Sequence, residues 1–455
     1  MRAPSTNNAM ERSITVREFD KISVSTFAKV TEERLARTAF RQLKAFILPA
    51  QEETEAAEAF NEYGELKDAS VCMTLCAENG KEAIRVKNYV GTISLPCGVT
   101  VEVLPKIAET FSVKQSRRLV IEMLKACSEI VYKSFQNASL SVENLTLFEV
   151  YIRLFLNEVK KLYKKGLRAG YVPNEDNENF LRGKLKFNEQ TKRNFAHKER
   201  FYIEYDLFSF DRAENRLIKA TLKYLLRKSR DDINKSEIRN YLLMFDEITA
   251  SENIESDFAK CATGRAVKDY EQVLKLCRVF LRKKSFTMYS GASDVVALMF
   301  PMETLFERYI AQEMTRAMKD GWTLTPQSKG KYLFDGNYFS LRPDILLKKG
   351  SESIIVDTKW KKLKPFDKNF GISQGDMYQM YAYHTRFSDV KEVVLLYPWY
   401  DEIKALKQIK YGVAEMGIRI YIAFFDLNQY LECKKFSECV VGLDSDSRFL
   451  TAIKK

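Results

Sequence analysis

Two short apolar runs, Ile345-Leu346-Leu347 and Ile354-Ile355-Val356, stand on either side of the polar segment Lys348-Lys349-Gly350-Ser351-Glu352-Ser353. A Gly-X pair between such runs suits the two-residue type II′ turn of a β-hairpin. With Gly350 and Ser351 as the loop, Lys349 pairs with Glu352, and counting outward sets Asp344 opposite Asp357. Directly opposed residues carry their Cβ atoms about 4.5–5.5 Å apart on one face. Lys359 lies two residues beyond Asp357 and shares that face, because side chains alternate along a strand. The segment thus gathers two acids and one ammonium at a point, and carboxylates that close repel each other unless a cation joins them.

Phosphodiester hydrolysis needs such a set. Mg²⁺ held by one or two carboxylates keeps several waters, lowers the pKa of one of them and screens the scissile phosphate. Lys359 can orient the attacking water or stabilise the oxyanion, and the electrostatic role is the larger. Asp344, Asp357 and Lys359 are therefore the candidate catalytic residues, with Asp344 and Asp357 as metal ligands and Mg²⁺ as the expected cofactor. The acid-x-lysine triplet alone is weak. Glu65-Leu66-Lys67 and Glu158-Val159-Lys160 also match it, and both read as solvated surface charges. Specificity comes from Asp344, the turn and the flanking apolar runs. Nearby, Gln379 and Tyr383 stand at i,i+4 on one helix face, where they can touch the site backbone or a DNA phosphate. Glu307, on a helix opening at Pro301, is a candidate third carboxylate and metal ligand; a solvated Glu-Arg helix edge explains it equally well.

Composition removes several alternatives. His197 and His384 are the only histidines, so hydrolytic chemistry built on paired histidines has little to work with. The Gly-Lys pairs at Gly80, Gly183 and Gly330 lack the upstream glycine of a phosphate-binding loop. Any nucleotide hydrolysis is thus expected from another chain. Eight cysteines spread between Cys72 and Cys439 form neither a disulfide framework nor a zinc motif and read as reduced thiols. A net charge of +12 favours polyanionic partners. No apolar run nears the ~18 residues of a membrane span, and the N-terminus lacks a signal-peptide core. A cytoplasmic chain without membrane contact is expected.

The 455 residues allow roughly three domains. Residues 1–112 read as β-rich, with strands at Val71–Leu75, Ala83–Val90 and Val99–Leu104. Residues 113–287 read as mainly helical, interrupted by a polar loop at Pro173–Glu178. Residues 288–455 read as α/β, with a helix after Pro301, strands around Tyr332–Phe334, Ile345–Leu347, Ile354–Asp357 and Glu392–Tyr397, and a helix near 374–386. The expected fold class is a multidomain mixture of α/β and α+β. Two basic and aromatic clusters, Lys192 to Tyr202 and Lys160 to Arg168, are candidate phosphate contacts, although a solvated face or a partner interface explains each at least as well.

Pro343-Asp344 followed by Asp357-Thr358-Lys359 resembles the PD-(D/E)xK nuclease superfamily. More narrowly, the chain resembles the McrC nuclease subunits of McrBC modification-dependent (type IV) restriction systems. The likeness is carried by Arg342–Ile345, Ile355–Lys361 and Asp376–Tyr383, and upstream by Tyr89–Ile93, Glu102–Ile107, Leu181–Leu185 and Asn215–Lys219. It runs from about residue 85 to the C-terminus. It implies a C-terminal PD-(D/E)xK restriction-endonuclease-like domain that cuts DNA containing modified cytosine. It also implies an N-terminal region docking on, and stimulating, an McrB-like AAA+ GTPase hexamer. Two other readings remain open at this point: a stand-alone repair or recombination nuclease, and a non-cleaving DNA-binding adaptor that activates a GTPase.

Overall fold

Gly350 takes φ +57°, the left-handed value that the first turn position of a type II′ hairpin demands. The ladder that follows runs from Lys349 opposite Glu352 to Ile345 opposite Val356. This is the register counted from the sequence, and one further step outward sets Asp344 against Asp357. The hairpin arms are Ile345–Lys349 and Glu352–Thr358.

The computed structural model describes residues 12–47, 72–106, 111–126, 145–261, 269–281, 295–387, 389–405, 409–413 and 417–453. Val71, Ile107, Cys127 and the helix positions Ile130 and Val131 lie outside them. The described residues within 1–136 and 299–455 make one compact unit, and those within 137–298 make another.

In the first unit the hairpin sits inside a seven-stranded mixed sheet. Its order is Thr323–Pro326, the two hairpin arms, Val390–Pro398, Ile418–Phe425 and Ile409–Val413, with Val440–Val441 paired to Ile418–Phe425. The second arm, Val390–Pro398 and Ile418–Phe425 run parallel. Strands covered on both faces read as continuous apolar runs, and Ile354, Ile355, Val356, Val393, Val394, Leu395 and Leu396 are all fully buried. Two helices matter for the site. Met302–Ala317 starts after Pro301 and carries Glu307, and Gln374–Arg386 starts at Ser373, whose side chain caps the Asp376 N–H. The second helix packs Met380 and Tyr383 into a core with Leu346 and Ile355, on the face that Asp357 shares. The Lys331–Phe334 strand stays out of the main sheet and pairs only with Tyr338–Leu341.

The N-terminal part of the same unit holds a sheet with neighbouring strands in the order Ser13–Arg17, Thr100–Leu104, Tyr89–Ser94. Glu102, buried in it, takes a bidentate hydrogen bond from Arg117 at 2.8 and 2.7 Å. This region is less uniformly β than expected. Glu33–Ile47 is a helix whose buried Ala36, Ala39, Phe40, Leu43, Phe46 and Ile47 repeat at helical spacing.

The second unit corrects two expectations. Its helices include Leu147–Lys165, ended by Gly166, together with Ala213–Lys228, Asp232–Met244, Ile254–Lys260 and Glu271–Leu281. Between them lies an antiparallel three-stranded sheet of Gly170–Glu178, Phe201–Ser209 and Lys184–Leu185. Pro173–Glu178, read as a polar loop, is thus part of a nine-residue strand paired along its whole length with Phe201–Ser209. It is an edge strand, where proline is tolerated and backbone pairing holds a polar sequence in place. Among the described residues no helix is long and apolar enough to cross a membrane, and the cysteines are free thiols.

A Cβ at Gly350 would meet no atom within 4 Å, so only backbone strain opposes substitution. Gly350→Ala should lower unfolding stability by about 1–2 kcal/mol in urea titrations, and Gly350→Asn by less, because asparagine tolerates the left-handed region.

Candidate active site

The open end of the hairpin collects the charged residues. Asp344 precedes the first arm, and its Oδ2 accepts from both the Thr358 N–H and the Thr358 hydroxyl at 2.8 Å. Asp357, near the end of the second arm, has a side chain only 1% exposed. Its Oδ2 lies 2.7 Å from Lys359 Nζ as an ion pair, and neither carboxylate oxygen accepts a hydrogen bond among the described residues. A buried carboxylate oxygen without a donor is costly. It is the kind of vacant ligand position that a cation satisfies.

Lys359 is held from a second side. Its Nζ reaches Gln379 Oε1 at 3.2 Å, Gln379 Nε2 donates to the Tyr383 hydroxyl at 2.9 Å, and that hydroxyl donates to the Arg342 carbonyl at 2.9 Å. The helix pair expected at i,i+4 therefore meets both the site lysine and the backbone entering the hairpin. Tyr383 is 1% exposed, so its hydroxyl is committed to these internal contacts. Glu307 comes from the Met302–Ala317 helix and accepts from Gln327 Nε2 at 3.0 Å. The Gln327 N–H in turn bonds the Asp344 carbonyl at 2.8 Å.

The electrostatics follow from burial. Burial, then the neighbouring Asp344 charge, pushes Asp357 up to about 7 against the opposing pull of Lys359. Burial and Asp344 likewise push Glu307 up to about 7, eased by Gln327, Arg308 and Lys359. Asp344 is raised by burial, with the Thr358 hydrogen bonds and Lys359 working against it. Burial alone would lower Lys359, but Asp357, Asp344 and Asp376 hold its ammonium above the ordinary lysine value. The acids resist ionising together, and the lysine stays charged.

No group of three His, Cys, Asp or Glu side chains among the described residues makes a ready metal cage. Asp344, Asp357 and Glu307 are therefore not gathered as three direct ligands. Mg²⁺ needs only one or two carboxylates beside waters, and Asp344 with the unpartnered Asp357 Oδ1 fits that demand.

Three contributors escaped the sequence reading. Thr358 occupied the unassigned middle position of the acid-x-lysine triplet. Gln327 lies in an irregular segment without a pattern. Asp376 raises both Asp357 and Lys359. Its position three residues before Gln379, hence on one helix face, was a usable signal. The basic clusters are partly neutralised: Lys192 and Arg193 pair with Glu189, Lys161 with Glu158, and Lys165 with Asp269.

A family described as "McrBC 5-methylcytosine restriction system component" matches residues 84–398, more than half of the chain. The chain belongs to the McrBC family. The assignment made from its motifs is thereby borne out. Among solved structures, it resembles a chain of the "refined half-complex from tetradecameric assembly of Thermococcus gammatolerans McrB AAA+ hexamers with bound McrC". There the TM-score is 0.63 at 19% identity, covering 91% of this chain and 94% of that one. At that identity the likeness establishes the fold alone. A second similarity is to the cryo-EM structure of the T. gammatolerans McrBC complex, with TM-score 0.48, 22% identity and coverage of 67% and 88%. No curated protein matches the sequence.

Two outcomes test this geometry. Tyr383→Phe removes the hydroxyl that links Gln379 to the Arg342 carbonyl and should lower unfolding stability by about 1–2 kcal/mol in urea titrations. The second concerns pH. An acid whose folded pKa stands above its unfolded value contributes stability that is present at low pH and lost as pH rises through the folded value. For Asp357 that window runs from the ordinary 3.8 to about 7. Without divalent cations, Asp357→Asn should therefore gain melting temperature relative to wild type between about pH 5 and pH 8. Added Mg²⁺ should raise the wild type at about pH 8 and leave the variant unmoved.

Proposed function

We propose that this chain is the Mg²⁺-dependent DNA endonuclease subunit of a modification-dependent restriction system, with a PD-(D/E)xK-type site formed by Asp344, Asp357 and Lys359. The observation that carries the reading is the buried Asp357, ion-paired with Lys359 yet accepting no hydrogen bond at either oxygen among the described residues, beside Asp344 at the same hairpin end. An acid–acid–lysine set on one face has no use in a protein that only binds DNA.

Mg²⁺ bound by Asp344 and Asp357 would supply Lewis acidity at the scissile phosphate. Thr358 holds Asp344 in place from two donors, and the lysine ammonium stands beside Asp357, where it can orient a water or stabilise the charge that develops on the phosphate oxygens. Gln379 and Tyr383 fix that ammonium against the backbone of Arg342. Glu307, hydrogen-bonded to Gln327, adds negative charge without direct ligation.

The family description supports modified-cytosine DNA as the substrate. The similar structure, a complex of McrB AAA+ hexamers with bound McrC, supports a hexameric AAA+ GTPase as the partner that licenses cutting. The second unit offers a feature suited to a protein partner. Tyr171 and Phe208, opposite each other in its three-stranded sheet with rings 5.4 Å apart, are both well exposed, and exposed aromatics of this kind are enriched at interaction sites.

Asp357→Ala and Lys359→Ala, assayed with the partner and Mg²⁺, should each lower cleavage at least about 100-fold and leave stimulation of the partner's GTP hydrolysis intact. Undiminished cleavage by either variant rules out this site. Efficient cutting by the purified chain alone would favour a stand-alone repair nuclease.

A further inference from the structure

Lys359 points into the site, and the next residue, Trp360, points the other way. Its indole N–H donates to the Glu18 carboxylate, 3.2 Å from one oxygen and 3.1 Å from the other, across 342 residues of sequence. Glu18 follows the first strand, is 0% exposed, and also accepts the Lys106 N–H at 2.9 Å. Its own N–H bonds the Leu104 carbonyl at 3.0 Å. The carboxylate is thus fixed by the end of the neighbouring strand and aimed at Trp360. The Trp360 ring also packs against Phe306, centroid to centroid 5.3 Å, and Phe306 immediately precedes Glu307.

One indole therefore adjoins both arms of the site, and the hydrogen bond that orients it comes from the far end of the chain. Burying a carboxyl for packing alone is unfavourable; an apolar side chain would fill the same volume at lower cost. What Glu18 adds is direction, because its hydrogen bond sets where the indole sits.

We infer that Glu18 is a positioning residue of the active site, acting through Trp360 to set the placement of Lys359 and of the Phe306-Glu307 turn. The inference rests on the nuclease reading and extends it to a residue of the N-terminal sheet. Burial, opposed by the Lys106 and Trp360 hydrogen bonds, pushes the Glu18 carboxyl up to about 8. A neutral amide is therefore a fair imitation of it at neutral pH, and with both oxygens near the indole either one can serve as the acceptor.

The test is steady-state DNA cleavage, with partner and Mg²⁺ present, by Glu18→Met, Glu18→Gln, Trp360→Phe and the Glu18→Met/Trp360→Phe double variant. Misplacing a reacting group by about 1 Å costs up to about 100-fold. Glu18→Met and Trp360→Phe should therefore lower kcat about 10–100-fold with KM for DNA unchanged. Glu18→Gln should keep most of the activity. The double variant should lose no more than the worse single one, since both changes remove the same hydrogen bond. If Glu18→Met does not fold, Trp360→Phe carries the test, because it keeps an aromatic ring against Phe306 while removing the indole N–H. Wild-type kcat in Trp360→Phe, a loss confined to KM, or a double variant whose loss is the product of the two singles would each overturn the inference. Failure of the two proposals is separable. An inactive Asp357→Ala beside a fully active Trp360→Phe refutes the positioning role alone, whereas an active Asp357→Ala refutes the nuclease site itself.

Discussion

A carboxylate buried at the end of a strand is unfavourable unless charge or hydrogen bonds compensate it, and Asp344 and Asp357 come together at the open end of one hairpin. Much of the surrounding structure answers that one difficulty. Thr358 donates twice to Asp344, and Lys359 sits against Asp357. Gln379 and Tyr383 hold Lys359 from the neighbouring helix. The Asp357 oxygens still accept no hydrogen bond among the described residues. That residual mismatch is where structure passes into function, because a fully satisfied cluster would be a structural ion-pair network with nothing to offer a cation.

Strand geometry distributes the consequences. Successive residues face opposite sides, so Asp357 and Lys359 share the catalytic face while Trp360 reaches the other one. On that side it meets Phe306 and Glu18. The same alternation that builds the site also joins it to the N-terminal sheet. This contact gives structural continuity between the N-terminal sheet and the charged cluster within one compact unit.

The motif reading reached far where interactions are local. The hairpin register was countable because a two-residue turn leaves no freedom in strand pairing, and the Gln379–Tyr383 contact was countable because helix neighbours recur every four residues. It fell short in the middle of the chain. Pro173–Glu178 carries loop-like residues yet forms a strand, since its pairing with Phe201–Ser209 depends on backbone groups that every residue possesses. The Glu33–Ile47 helix went unread although its apolar spacing was present, because the strands around it set the expectation for the whole region.

By itself, then, the sequence determined the local arrangement: two acids and a lysine on one face, a turn that places them, and motifs that name the family. Only the tertiary structure decided that Thr358 secures Asp344, that Gln327 bonds Glu307, and that Glu18 meets Trp360. These contacts join segments with no periodic relation along the chain. Local patterns follow from the repeat of a strand or helix, whereas which elements meet is set by how the whole chain buries its apolar faces, and no short stretch of residues records that.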